Sequence, residues 1–137
     1  MIYKIKVENN SRQILRYLEI LGYKWNSGDR PTEFYPIMPH NCFVADDMVI
    51  SYSVEDVTIS FEEFKRQNPI QKKHLRSGMV VEYINGERRL VTDIMGELIL
   101  ISEDGFQPLS EYNEDLTIND HPNVTINKIG LACPSSL

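Results

Sequence analysis

The chain has 137 residues, of which 42% are hydrophobic and 25% charged, and its formal net charge at pH 7 is −6. This composition is typical of a globular protein and excludes a mainly disordered chain; the length suits one domain or two very small ones. No apolar run approaches the roughly 18 residues of a membrane span, and no signal-peptide core is evident, so we expect a cytosolic protein with no membrane partner. Two cysteines, Cys42 and Cys133, are too few for a disulfide scaffold.

The first elements are predicted to be a strand and a helix. Apolar residues alternate with lysines over residues 2–7, which is the period-two pattern of a half-buried strand. Asn9-Asn10-Ser11 then supplies capping residues, and Gly22 suits the left-handed position that ends a helix. The apolar stripe of this helix is formed by Ile14, Leu15, Leu18 and Leu21.

A hairpin and a second helix follow. Residues 42–45 and 48–53 are predicted to pair as antiparallel strands across Asp46-Asp47, and residues 57–59 resemble a further strand edge. A Ser-x-x-Glu capping box predicts a short helix over residues 61–66.

The second half of the chain is rich in short β-type runs. Asn85-Gly86 is a strong hairpin signal and predicts a type I′ turn, in which both central residues have positive φ. The strands recur at a spacing of about ten residues, which favours a small closed or nearly closed barrel. The predicted strands span residues 79–84, 87–93, 97–101, 106–109 and 124–129.

These elements predict an α+β chain in two modules. We expect a small strand-helix-hairpin-helix module over residues 1–68, a basic linker over 69–76 and a five-stranded barrel over 77–130. Residues 131–137 show no periodicity and are predicted to form a loose tail.

Charge is distributed unevenly between these parts. Residues 1–64 carry six basic and ten acidic side chains, residues 65–76 carry five and none, and residues 77–137 carry three and ten. The acidic flanks disfavour general nucleic-acid binding, and paired acidic residues in the loops are either solvated or compete for a host protein's basic groove. The basic segment either packs between the modules or projects outward to bind an acidic partner. Its basic residues are Lys65, Arg66, Lys72, Lys73 and Arg76.

Several segments resemble small uncharacterised phage and prophage proteins. The N-terminal match is Gly-Tyr-x-Trp-x-Ser-Gly at residues 22–28, followed by the acidic-aromatic helix start at 61–64. Residues 77–82, 85–89 and 109–116 are similar to SH3-like barrels of such proteins. The resemblance implies a five-stranded SH3-like β-barrel in the second module and a mobile-element accessory protein in a bacterial cytosol, and it implies no catalytic residues.

An aromatic group near the first glycine turn is a candidate binding surface. Tyr23, Trp25 and Arg30, with Phe34 and Tyr35 close behind, have the residue types of a platform for a nucleobase or a partner's side chain. A lone Trp beside a glycine turn equally suits a core residue that covers the end of a sheet.

Adjacent arginines follow the predicted turn at 85–86. Since neighbouring strand residues point to opposite faces, Arg88 or Arg89 should be exposed beside Glu82 or Tyr83. The alternatives are a cross-strand salt bridge and an anion or nucleotide contact.

Metal and nucleophile chemistry have weak support. No C-x-x-C or H-E-x-x-H spacing, phosphate loop or dinucleotide fingerprint occurs, so we expect no metal and no cofactor. Cys42 begins an apolar strand and is predicted to be a small buried thiol rather than a nucleophile. The remaining residues of metal-ligating type are His40, His74, His121 and Cys133.

We expect a non-catalytic phage or mobile-element accessory protein that binds and modulates a host protein, such as a component of a bacterial defence system. The alternative is sequestration of a nucleotide signal, or nucleic-acid binding, through aromatic and arginine side chains. An enzyme is the third class, and the oligomeric state is open. The candidate binding residues are Tyr23, Trp25, Arg30, Lys72, Lys73, Arg88 and Arg89.

Overall fold

The computed structural model describes residues 1–36 and 39–131. The chain divides into two compact units, residues 1–70 and 71–137. The described residues form a mixed α+β structure with two α-helices, one four-stranded sheet and one five-stranded sheet. Within these residues no helix is long and apolar enough to cross a membrane. The predicted loose tail and Cys133 lie outside the described residues, apart from Leu131.

The first unit contains the four-stranded sheet, whose strand order is β1-β3-β4-β2. The pairs β1–β3 and β3–β4 are antiparallel, and the two-residue β2 is parallel to β4. Sequence analysis missed β2, because two residues show no periodicity. The elements are β1 Ile2–Lys6, α1 Ser11–Leu21, β2 Lys24–Trp25, β3 Cys42–Asp46, β4 Val49–Ser53 and α2 Phe61–Gln67.

Both predicted helices are confirmed, but the predicted side-chain cap of α1 is not formed, since Asn10 Oδ1 accepts the N–H of Glu8 rather than one from the helix. The apolar stripe of α1 is buried, and the chain leaves the helix through Gly22, which has φ 102° and donates its N–H to Glu19 O. At the start of α2, Ser60 Oγ accepts the N–H of Glu63 at 3.1 Å.

Two predicted strand boundaries were wrong. The β3–β4 turn is centred on Asp47 and Met48 rather than on Asp46-Asp47, since these two residues have φ 51° and 64° and Asp46 stays paired in β3. The run at 57–59 forms no strand: Ile59 alone makes a parallel bridge to Ile5, beside β1.

The core of the first unit lies between α1, α2 and one face of the sheet. Its members are the stripe of α1, the inward residues of the strands and the aromatic residues of α2. The fully buried or nearly buried side chains include Ile5, Ile14, Leu18, Trp25, Phe43, Ile50 and Phe64.

The second unit contains the five-stranded antiparallel sheet, with strand order β8-β7-β6-β5-β9. All five strands were predicted to within two residues at each end. Among the described residues no pairing joins the outer strands β8 and β9. The strands are β5 Val80–Tyr83, β6 Arg88–Ile94, β7 Glu97–Ser102, β8 Gly105–Pro108 and β9 Ile126–Gly130.

The turn between β5 and β6 differs from the prediction. Gly86 has φ 90°, but Asn85 has no positive φ, so the β5–β6 connection is not the predicted type I′ turn. Instead Gly86 N–H bonds Tyr83 O and Tyr83 N–H bonds Glu87 O, a three-residue loop with glycine in the left-handed position. Met95 and Gly96 both have positive φ, so the two-residue primed turn lies between β6 and β7.

Candidate functional site

A groove runs along the first half of α1 in the first unit. Its two sides are the exposed face of α1 and the segment 31–36, which begins with a 3₁₀ turn at Pro31–Glu33. It comprises two overlapping cavities of about 610 and 290 Å³. We call it the arginine groove, and the residues that line both cavities are Arg12, Arg16 and Tyr35.

The two arginines give the groove its charge. Arg12 and Arg16 are one helical turn apart, so both guanidinium groups reach the same face of α1. Within residues 1–36 and 39–131, neither side chain forms an ion pair or a hydrogen bond. The first turn of α1 also contains no acidic residue. The groove therefore presents two cationic groups that no side chain of this part of the chain neutralises.

The opposite wall of the groove is aromatic. Phe34 is 43% exposed and Tyr35 is 52% exposed, and both line the same cavity as the buried Leu15. Tyr35 Oη donates a hydrogen bond of 3.0 Å to Ser11 Oγ, which ties the wall to the start of α1. Guanidinium groups bind phosphate and carboxylate oxygens, and exposed aromatic rings stack on planar ligands. The groove thus suits an anion that carries a planar ring.

A buried carboxylate fixes the wall to the helix. Glu19 Oε1 accepts hydrogen bonds from Thr32 N at 3.0 Å and Thr32 Oγ1 at 2.6 Å, and Glu19 Oε2 accepts from Arg30 Nη2 at 2.8 Å. Burial in itself raises the pKa of Glu19, but the bonds from Thr32 and Arg30 outweigh it and hold the pKa below its usual value. Glu19 is therefore charged at neutral pH, and its hydrogen bonds hold Arg30 and Thr32, which precede the aromatic wall, against α1.

A third cavity, of about 710 Å³, adjoins the arginine groove at Phe34, which lines both. Its wall is aromatic, and its rim is the tight turn that follows β2, where Gly28 N–H bonds Trp25 O and Trp25 N–H bonds Asp29 O. We call it the aromatic pocket. It is lined by Trp25, Asn26, Ser27, Asp29, Phe34, Ile50, Ser51 and Tyr52.

The structure places the predicted aromatic platform mostly in the core. Tyr23 and Trp25 are 8% and 5% exposed, so neither offers an open ring face. Trp25 Nε1 donates to Pro31 O at 3.1 Å, and its ring meets Phe34, Phe43 and Tyr52 edge to face. This agrees with the alternative expectation that Trp25 is a core residue. Only Phe34 and Tyr35 of that group expose their rings.

The other predicted basic residues are bonded within their own unit or exposed. Arg30 is held by Glu19 and by Glu33, 3.4 Å from Nη1. In the second unit, Lys72 Nζ donates to Tyr112 O at 3.0 Å, whereas Lys73 is exposed. The ammonium group of Lys72 is thus bonded within its own unit and is less available to a ligand.

The adjacent arginines of β6 point to opposite faces, as predicted. Arg88 is exposed and forms the cross-strand salt bridge with Glu82, with Nε 3.3 Å from Oε1. Arg89 lies on the inner face, only 11% exposed, with its guanidinium carbon 5.5 Å from the Tyr83 ring centre and Nη2 3.6 Å from Glu87. Because their side chains lie on opposite faces of β6, the two arginines cannot both bind one anion.

Cys42 and the histidines do not assemble a site. Cys42 is a buried thiol, as predicted, and burial, together with the charge of Glu55, raises its pKa. Burial and the nearby Lys73 lower the pKa of His74, whose Nδ1 accepts the N–H of Gln71 at 2.8 Å. The part of the chain that the structure describes contains no cluster of three His, Cys, Asp or Glu residues able to hold a metal.

Sequence reasoning missed Arg12 and Arg16. The available signal was two arginines at i and i+4 on the polar face of a helix, an arrangement that costs about 0.2–0.5 kcal/mol in like-charge repulsion. The 3₁₀ turn that faces them gave no periodic pattern.

Comparison of the chain with protein-family models, curated proteins and solved structures found no match.

Proposed function

We propose that the chain is a non-catalytic binding protein whose first unit holds a phosphate-bearing ligand of the nucleotide class in the arginine groove. The observation that supports this most is the pair Arg12 and Arg16, without a partner among the described residues, opposite the exposed rings of Phe34 and Tyr35. The proposal keeps the nucleotide alternative from the sequence analysis. That alternative used Tyr23, Trp25 and one or more of Arg30, Arg88 and Arg89, whereas the proposal assigns ligand binding to the residues of this groove.

The charge around the groove, rather than the net charge of the chain, determines which anions the groove binds. The whole chain is acidic, which disfavours a long polyanion spread over its surface. A small ligand meets only the groove, where α1 presents two arginines and its one acidic residue, Glu19, is bonded to Arg30 and Thr32. We therefore favour a mononucleotide or small nucleotide signal over double-stranded nucleic acid.

A thermal-shift titration with adenosine monophosphate tests this proposal. Binding to the native state raises stability by about 2.7 kcal/mol at a hundredfold excess over Kd, so Tm should rise by several degrees. The Arg12→Gln/Arg16→Gln variant should lose this rise. The control, Lys73→Gln/Arg88→Gln, removes two charges from exposed residues of the second unit and should keep it. No rise with the wild-type chain, or an equal rise with the groove variant, would overturn the proposal.

The biological setting rests on the resemblance to small phage proteins. In that setting the second unit is an SH3-like barrel, the location is the bacterial cytoplasm, and the chain is a mobile-element accessory protein that withdraws a nucleotide signal from a host defence system. A non-catalytic role is consistent with the groove, where arginines, aromatic rings and hydroxyls bind and orient a ligand.

Binding of a host protein is the second candidate function, and the outer face of the second sheet favours it. Leu90 pairs with Ile101, and Ile101 with Phe106, which places three apolar side chains in one row across β6, β7 and β8. Leu90 is 43% and Phe106 71% exposed. Exposed apolar rows are typical of protein contacts. If this function holds, Phe106→Ser should abolish capture of a host protein from a bacterial lysate, while Val57→Ser, at an exposed residue of the first unit, should leave capture unchanged.

A further inference from the structure

We propose that the aromatic pocket is the base-binding subsite of the arginine groove and that it prefers a base with an exocyclic amino group. This inference rests on the proposed function, since it assumes that a nucleotide's phosphate occupies the groove. The observations behind it are separate: they concern the residues on the other side of Phe34.

The arginine groove and the aromatic pocket adjoin at one side chain, that of Phe34. Phe34 lines the groove together with Arg12, Arg16 and Tyr35, and it also lines the aromatic pocket. Its ring meets the Trp25 ring edge to face, with centroids 5.2 Å apart. Phe34 therefore borders both sites, so a ligand whose phosphate contacts the arginines can extend past this side chain toward the pocket. Phosphate and base of one nucleotide are separated by a single ribose, which matches this arrangement.

The pocket combines an apolar wall with a polar rim. Phe34 and the half-buried Tyr52 offer ring surface, and Trp25 also lines the pocket while its indole N–H is bonded to Pro31 O. Its volume of about 710 Å³ is within the range of small-molecule sites, which is roughly 300–1,000 Å³. A planar heterocycle gains stacking from such walls and hydrogen bonds from such a rim.

Asp29 determines the preference of the pocket for a base with an exocyclic amino group. Its Oδ2 accepts the hydroxyl of Ser27 at 2.8 Å, and within the described residues no side chain donates to its Oδ1. A carboxylate only accepts hydrogen bonds, so it favours a base edge that donates, such as the amino group of adenine, cytosine or guanine. The N–H of uracil lies between two carbonyl oxygens, which a carboxylate repels. The pocket should therefore discriminate against uracil.

Fluorescence titration of the full chain with four ligands tests the subsite. Trp25 is the chain's one tryptophan and lines the pocket, so its emission reports occupancy. Adenosine and cytidine monophosphates should bind at least about tenfold more tightly than ribose 5-phosphate and uridine monophosphate, because a good base-edge contact discriminates by roughly 1–3 kcal/mol. Calorimetry should give the same order of affinities.

The outcomes separate this inference from the proposed function. If all four ligands bind with equal affinity, the groove holds phosphate but the base subsite is wrong. If none of the four binds, the proposed function and the subsite both fail. Asp29→Asn keeps the acceptor for Ser27 and adds a donor, so it should reduce the preference for cytidine over uridine monophosphate about tenfold or more. The control Asp56→Asn, an exposed residue of the same unit, should leave the preference unchanged, and an equal change in both variants would overturn the role of Asp29.

Discussion

Arg30 donates two hydrogen bonds to one carboxylate oxygen of Glu19, Oε2, from Nε at 3.1 Å and from Nη2 at 2.8 Å. The other oxygen holds Thr32 through its N–H and hydroxyl. The Glu19 side chain is 7% exposed, whereas that of Arg30 is 42% exposed, so a helix carboxylate is the buried anchor of a surface segment. Phe34 and Tyr35 come two and three residues after Thr32, and the position of the aromatic wall therefore depends on this contact.

Glu19→Gln should destabilise the first unit and loosen the groove. The amide keeps the shape of the side chain but loses the charge-assisted bonds, which are each worth about 1.5–3 kcal/mol, so we expect the free energy of unfolding to fall by about 2 kcal/mol. Urea denaturation measures this. The control Glu62→Gln removes an exposed ion pair with Lys65 and should cost under about 0.5 kcal/mol. Equal losses in the two variants would contradict the anchoring role.

The same carboxylate should make stability depend on acid pH. Since the pKa of Glu19 is lower in the folded state than its unfolded value of about 4.3, its contribution is complete above that value and is lost as pH falls through the lower, folded pKa. The stability difference between wild type and Glu19→Gln should therefore be largest near pH 7 and shrink below about pH 4.3. A difference that stays constant from pH 7 to pH 3 would show that Glu19 acts without its charge.

Trp25 should behave as a core residue. With 5% exposure, its indole should emit at shorter wavelength in the native chain than in urea, and iodide should quench the native emission only weakly. Trp25→Ala should cost about 3–5 kcal/mol because it leaves a large cavity beside Phe43 and Tyr52. Strong iodide quenching of the free protein would instead indicate an open platform.

Arg88 and Arg89 should differ sharply although they are neighbours. Arg88→Ala removes an exposed salt bridge, so the free energy of unfolding should change by less than about 0.5 kcal/mol. Arg89→Ala removes a buried stem that packs near Tyr83 and should cost about 2 kcal/mol, whereas Arg89→Met should recover most of this loss by restoring the packing. Equal effects of the two alanine substitutions would contradict the opposed faces of β6.

Periodic patterns and capping residues were sufficient to predict both helices and all five strands of the second sheet. The errors in the predicted turns occurred where only two or three residues determine the backbone conformation. Met48 takes a positive φ that its type rarely adopts, and Asn85-Gly86 uses a three-residue loop instead of the two-residue turn that the dipeptide favours. Register and loop length, set by strand pairing across the sheet, overrode the local preference in both cases.

The candidate site was less predictable because it joins segments that have no shared pattern. The aromatic residues after position 22 lie near the candidate site, but they differ in burial: Trp25 is part of the core, whereas Phe34 and Tyr35 are partly exposed. Arg30 matched the expected cation but is bonded to Glu19. Only the tertiary contact between α1 and the 3₁₀ turn brings Arg12 and Arg16 to these rings.

The most direct measurement is a ¹⁵N-correlation NMR titration of the full chain with adenosine monophosphate. A ligand in the arginine groove should shift the backbone amides of residues 11–16 and 32–35 and the side-chain Nε–H groups of Arg12 and Arg16 most strongly. Signals of residues 80–108 should stay nearly unchanged. Saturable shifts confined to residues 80–108, or no saturable shifts at all, would contradict the account.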